Sequence, residues 1–159
     1  MPTSAVQAVR WMMFAAAILT LAAPGCDSQV KVSDLNVQDL DYASVNELQT
    51  NPKMIKKMGP VVLLDIRPEQ AYQQGHIPGA VNIPLSHIVG LDDRLANART
   101  IVIYGGGWDD PLAPVAWKKM RSLGYEGLYT FRGGVKEWVG QGRSLDQAAA
   151  ERTAGASGE

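Results

Sequence analysis

The sequence predicts an α/β fold, a central parallel sheet with helices on both faces. Three observations carry this. Residues 61–66 and 100–104 are nearly unbroken apolar runs rich in β-branched side chains, the pattern of strands covered on both sides. Residues 127–130 give a third stretch of the same kind. Helix-start and helix-stop residues lie between these runs, and strands alternating with helices build parallel sheets through right-handed crossovers.

Taken in order, Ser44-Val45-Asn46-Glu47 has the form of a capping box and predicts a helix start. Asn51-Pro52 predicts a second short helix with Pro52 at its first position. After the strand at 61–66, Pro68 opens a short helix that Gly75 closes. Residues 80–83 read as a strand stopped by Pro84, and residues 86–95 as one or two short helical pieces. The strand at 100–104 runs into Gly105, Gly106, Gly107, Trp108, Asp109 and Asp110, a loop. Asp110-Pro111 then starts a helix, with Asp at the cap and Pro at the first position, ending before Gly124. Pro114 is tolerated in its first turn, where its missing N–H has no partner to lose. A last short helix over 135–140 carries Trp138. Trp117 and Trp138 are expected in the core.

The bulk numbers exclude several classes. The 159 residues carry a net charge of −1, with 46% hydrophobic and 19% charged residues, and no basic block predicts nucleic-acid binding. The single cysteine, Cys26, excludes an internal disulfide and a multi-cysteine metal site. Two histidines, His76 and His87, give a zinc site little support. No cofactor and no metal are expected.

The N-terminus reads as an address. A polar start carrying Arg10 precedes an apolar run over 11–23, which as a helix spans about 20 Å, short of a hydrocarbon core of about 30 Å. That is the form of a secretory signal. Leu21-Ala22-Ala23-Pro24-Gly25-Cys26 resembles the lipobox of bacterial lipoproteins, with Pro24 as its departure from the usual small or aliphatic residue. The resemblance implies cleavage before Cys26, lipidation of that cysteine, and an exported protein held on a membrane by its lipid and facing the periplasm or the cell exterior. The expected organisation is a signal peptide at 1–25, anchor and tether at 26–40, a domain at 41–143 and a disordered tail at 144–159.

Four pieces, in this order, resemble the rhodanese family. They are Leu64-Asp65-Ile66-Arg67; Gly75-His76-Ile77-Pro78-Gly79-Ala80 followed by Asn82-Ile83-Pro84; Ile101-Val102-Ile103-Tyr104 before a glycine-rich loop and helix; and Gly133-Gly134 with Trp138. The resemblance covers about two-thirds of the chain and implies a rhodanese-like three-layer sandwich. It also implies a reactive loop after the strand ending at Tyr104. In active members a cysteine directly after that strand takes sulfur as a persulfide, held by inward backbone N–H groups and a helix end that favour an anion. Here that position is Gly105, and none of residues 105–110 can form a persulfide. Cys26 lies in the address segment. Asp109 and Asp110 add negative charge, each repelling an anion at 4–6 Å by about 1 kcal/mol in a wet site. The pocket is therefore expected to have lost its preference for anions.

Asp65 and Arg67 read as a structural tie at the strand end, and His76 as a structural turn residue. Trp108 reads either as a side chain packed over the sheet edge or as an anchor for a partner. Three functions follow. The leading one is a non-catalytic module binding a protein or small ligand through residues 105–110. The second is a sulfurtransferase-like enzyme with a non-cysteine or Asp109-based mechanism. The third is a structural module of an envelope assembly.

Overall fold

The computed structural model describes residues 37–147. The expected signal segment, the Cys26 anchor and most of the expected tether and tail lie outside the described residues. Five α-helices and four strands follow one another in the anticipated order: α1 Tyr42–Thr50, α2 Pro52–Met58, β1 Val61–Asp65, α3 Glu69–Gln74, β2 Val81–Asn82, β3 Thr100–Tyr104, α4 Leu112–Ser122, β4 Leu128–Phe131 and α5 Gly134–Gly140. Two single 3-10 turns, Leu85–His87 and Asp93–Leu95, occupy the connection between β2 and β3. No helix of the described residues is long and apolar enough to cross a membrane.

The sheet is parallel throughout, in the order β2-β1-β3-β4. Alternating side chains feed two cores. Leu64, Ile101 and Ile103 meet Ala113, Ala116, Trp117 and Met120 of α4 on one face. Leu63, Val102, Tyr104 and Phe131 meet Val45 and Leu48 of α1 and Trp138 of α5 on the other. The unbroken apolar runs of β1 and β3 thus report two buried faces, the three-layer arrangement read from the sequence. Burial of side chains this large dominates the stability of the domain.

The register sets up the site. Pairing runs from Val61 opposite Thr100 to Asp65 opposite Tyr104. The C-terminal ends of β1 and β3 are therefore level, and Gly105 emerges one residue beyond Asp65.

Several boundaries are corrected. Helix α1 starts three residues before the capping-box reading: Asp41, not Ser44, is the cap, and its Oδ1 accepts the Ser44 N–H at 2.9 Å. A hydrogen bond from the Ser44 side chain, then that backbone bond, holds the Asp41 carboxyl below the usual carboxylate range. Strand β4 begins at Leu128 rather than Gly127, because Gly127 adopts φ 62°, and any Cβ there would collide with the Arg99 carbonyl oxygen. Helix α4 begins at Leu112, one residue later than read, so Pro111 rather than Asp110 holds the cap position, although the Asp110 side chain still accepts the Leu112 N–H.

The ordered domain also reaches past 41–143 at both ends. Residues 38–40 lie parallel to β4: the Leu40 N–H donates to Thr130 O at 2.8 Å and the Thr130 N–H to Gln38 O at 2.9 Å. The Thr130 hydroxyl also donates to the Asp39 carboxylate. At the other end, Ser144 O accepts the Trp138 indole N–H at 3.0 Å, and Leu145 lies against Gly75. Asp146 and His76 exchange backbone hydrogen bonds of 2.8 and 2.9 Å. Residues 144–147 are therefore docked rather than part of a disordered tail. Polar composition suggested a fray, whereas a chain crossing Gly75-His76 satisfies both backbones.

Candidate functional site

The loop at residues 105–110 connects a fully buried strand to α4, and backbone hydrogen bonds dictate its path. Gly105 O accepts the Val135 N–H at 3.2 Å and Gly106 O accepts the Lys136 N–H at 3.0 Å, so the loop's carbonyls cap the first turn of α5. The approach is close enough to require glycine on the α5 side. Gly134 has φ 53°, and a Cβ on it would collide with Gly105 O.

Asp110 closes the loop from the other side. Its Oδ2 accepts the Gly106 N–H at 2.8 Å and its Oδ1 accepts the Leu112 N–H at 2.9 Å. Its own N–H donates to Gly107 O at 2.9 Å. One carboxylate thus takes a loop N–H and a helix-start N–H, groups of the kind that would hold a bound anion. It also takes the space of a side chain at Gly105. A Cβ built there would lie 2.6 Å from Asp110 Oδ2 and 3.3 Å from Cγ, the first closer than side-chain carbons ever sit. The two aspartates that the sequence placed together therefore part company. Asp110 turns in, while Asp109 faces solvent and meets Lys136 Nζ at 3.4 Å in a loose, exposed pair.

Trp108 is 58% exposed, so it does not pack over the sheet edge. The Arg132 guanidinium carbon stands 5.5 Å from the centre of its ring, a cation–π contact. Lys136 crosses the loop, its side chain against Gly107. Neither Arg132 nor Lys136 stood out in the sequence; the one signal was their place either side of Gly133-Gly134.

Next to the loop, Asp65 and Arg67 form the tie expected of them. Asp65 is fully buried. The Arg67 Nε donates to its Oδ1 at 3.0 Å, Nη2 donates to Oδ2 at 2.6 Å, and the Arg67 backbone N–H adds a bond of 2.9 Å. Arg67 Nη2 also reaches Gly75 O at 2.7 Å. Burial works against the Arg67 charge, yet the hydrogen bonds and charge of Asp65 outweigh it and raise the guanidinium pKa. The Tyr104 hydroxyl accepts the Ile77 N–H at 3.2 Å, and burial, then Asp65, pushes the phenol far above its ordinary value. His76 has no free role. Its Nδ1 lies 2.9 Å from Tyr72 O, and its ring stacks on that of Tyr72 at 3.7 Å. Among the described residues no cluster of His, Cys, Asp or Glu could hold a metal ion.

As chemistry, residues 105–110 carry no thiol, and of their two carboxylates Asp110 is engaged by backbone N–H groups while Asp109 is exposed. What the loop presents outward is an exposed tryptophan, a guanidinium and a mixed pair of charges.

Comparison with known proteins agrees with this fold. The family model for the rhodanese-like domain matches residues 46–141. An HTH-type transcriptional regulator of Mycobacterium tuberculosis is 37% identical over 126 residues, which are 74% of this chain and 55% of that protein. The chain thus spans about half the length of this curated relative. A rhodanese-like domain from Anabaena sp. superposes with a TM-score of 0.55 at 24% identity, covering 76% of this chain and 87% of that domain. A thiosulfate sulfurtransferase from Pseudomonas aeruginosa superposes with a TM-score of 0.59 at 22% identity, covering 70% of this chain and 20% of the enzyme. These two likenesses are of fold.

Proposed function

This chain belongs to the rhodanese-like domain family, and from that premise we propose that it is a non-catalytic member whose former reaction loop serves as a binding surface. One observation carries the reading: the residue after β3 is Gly105, and the Asp110 carboxylate stands where its side chain would be. Sulfur transfer needs a thiolate at the loop and room for an anion beside it. The first is absent from the sequence of the loop, and Asp110 fills the second. What stays accessible is Trp108 with Arg132 over its ring, two residue types common among interface hot spots.

Thiosulfate-to-cyanide sulfurtransfer tests the proposal. Turnover is expected at the blank rate, unchanged in Asp109→Asn. Turnover above the blank that disappears in Asp109→Asn would establish the enzymatic reading instead. Binding is tested by affinity capture from membranes, with Trp108→Ala as control; a purely structural module would give the same captured proteins with both.

Export and lipid attachment at Cys26 complete the proposal, supported by the short apolar run and the lipobox-like residues 21–26. Metabolic labelling with a fatty-acid probe should mark the full chain and leave Cys26→Ser unmarked. Equal labelling, or none, would remove the anchor from the account.

A further inference from the structure

The chain enters the domain at the end of the sheet opposite the loop. Residues 38–40 run parallel to β4 with Asp39 beside Thr130, so the described chain begins, at Val37, near the start of β4. Val37 packs against the core that includes Tyr125 and Leu128. At this same end, Leu91 lines a depression bordered by the starts of β3 and β4. Leu91 is 75% exposed and its neighbour Val89 80%, more than any other large apolar side chain described. The segment that carries them is braced. The Tyr125 hydroxyl accepts the Asp92 N–H at 2.7 Å and donates to Gly90 O at 3.1 Å, gripping the chain on either side of Leu91. Ile88 anchors the same segment in the core. Little ordering entropy is therefore left to lose when Leu91 is covered.

Charge does not select what would cover these side chains. Arg94, Arg99 and Arg121 stand against Asp92, Asp93 and Glu126, so this end favours neither sign. The place where the chain enters does select it. Only residues 27–36 separate Val37 from Cys26, the proposed point of lipid attachment, and ten residues extend at most about 35 Å. A compact domain of this size is about 34 Å across. Turning the loop at residues 105–110 toward the bilayer would therefore stretch that segment almost to its limit, whereas the end bearing Leu91 meets the bilayer with length to spare. Tethering also keeps the lipid surface at high local concentration, so a contact too weak to recruit a free protein suffices for an anchored one. We propose that this end of the domain rests on the lipid bilayer through Val89 and Leu91, and that the loop at residues 105–110 is thereby held facing away from the membrane. The inference rests on lipid attachment at Cys26 and extends it from an anchor to an orientation.

The test uses the full chain, expressed with its N-terminal segment and reconstituted into phosphatidylcholine vesicles that carry a lipid-bound quencher. A thiol-linked fluorophore is placed at Ala96→Cys, in the depression beside Leu91, or at Asp109→Cys, at the opposite end. Quenching is expected at position 96 and not at position 109. Because the charges on this end balance, neither high salt nor added acidic lipid should change it. Val89→Ser with Leu91→Ser should lower the contact equilibrium about tenfold, which corresponds to roughly two methylene groups no longer buried. Both side chains are exposed, so this variant should keep the wild-type circular dichroism. Equal quenching at the two positions, stronger quenching at 109, or quenching at 96 indifferent to the double substitution would overturn the proposal. Intact mass separates the two ways to fail. A chain that carries lipid yet stays unquenched at 96 removes the orientation alone, and a chain without lipid removes the anchor and the orientation together.

Discussion

The C-terminal ends of β1 and β3 lie side by side, and a carboxylate is held at each by different means: Asp65, the last residue of β1, and Asp110, at the end of the loop after β3. At β1 the fully buried Asp65 is neutralised by Arg67, which locks the turn through Gly75. At β3 the Asp110 carboxylate is held by the backbone N–H groups of Gly106 and Leu112. The first device is an ion pair whose partners depend on each other. The second is a carboxylate standing in a cradle of N–H groups, a place that could otherwise receive a ligand. The difference teaches where this fold depends on a buried ion pair and where a side chain alone satisfies a cradle of backbone N–H groups.

Breaking the pair at β1 should cost most. Arg67→Met strands a buried carboxylate and should lower stability by about 3–5 kcal/mol, read from urea unfolding. A loss below 1 kcal/mol would show that Asp65 finds another partner. At the β3 end, Gly105→Cys should destabilise by about 1–3 kcal/mol through overpacking against Asp110, and it should not acquire sulfurtransferase turnover. Combining it with Asp110→Ser should recover most of that loss, because the two sites share one space; simple additivity would contradict the geometry. Asp110→Ala alone should cost about 1 kcal/mol as a lost helix cap, and Asp110→Asn less. The smallest effect belongs to the exposed rim. Asp109→Asn should change stability by about 0–1 kcal/mol, since its pair with Lys136 is loose and solvated.

Much of this was legible in the sequence because it depends on local rules. The runs at 61–65 and 100–104 announced buried strands, and the alternation of strand and helix signals announced a parallel sheet. Asn51 capped its helix as its residue type suggested, whereas Asp110 accepts the Leu112 N–H from one residue before the cap position, which Pro111 holds. Position in space was not legible. Nothing in Asp109-Asp110 says that one carboxylate turns inward and the other outward; that follows from where Gly106 and Lys136 sit, and α5 lies far along the chain. Asp41 displaced Ser44 as a cap because both are competent and the path of residues 38–40 along β4 decides between them. Residues 144–147 looked like a tail because their composition carries no signal of the backbone bonds they make with His76.

The central claim is that no atom at this loop accepts sulfur. Intact-mass measurement of the purified chain after incubation with excess thiosulfate, followed by peptide mapping, tests it most directly. The account predicts an unchanged mass over residues 37–147. Addition of one sulfur atom mapping to residues 105–110 would contradict it.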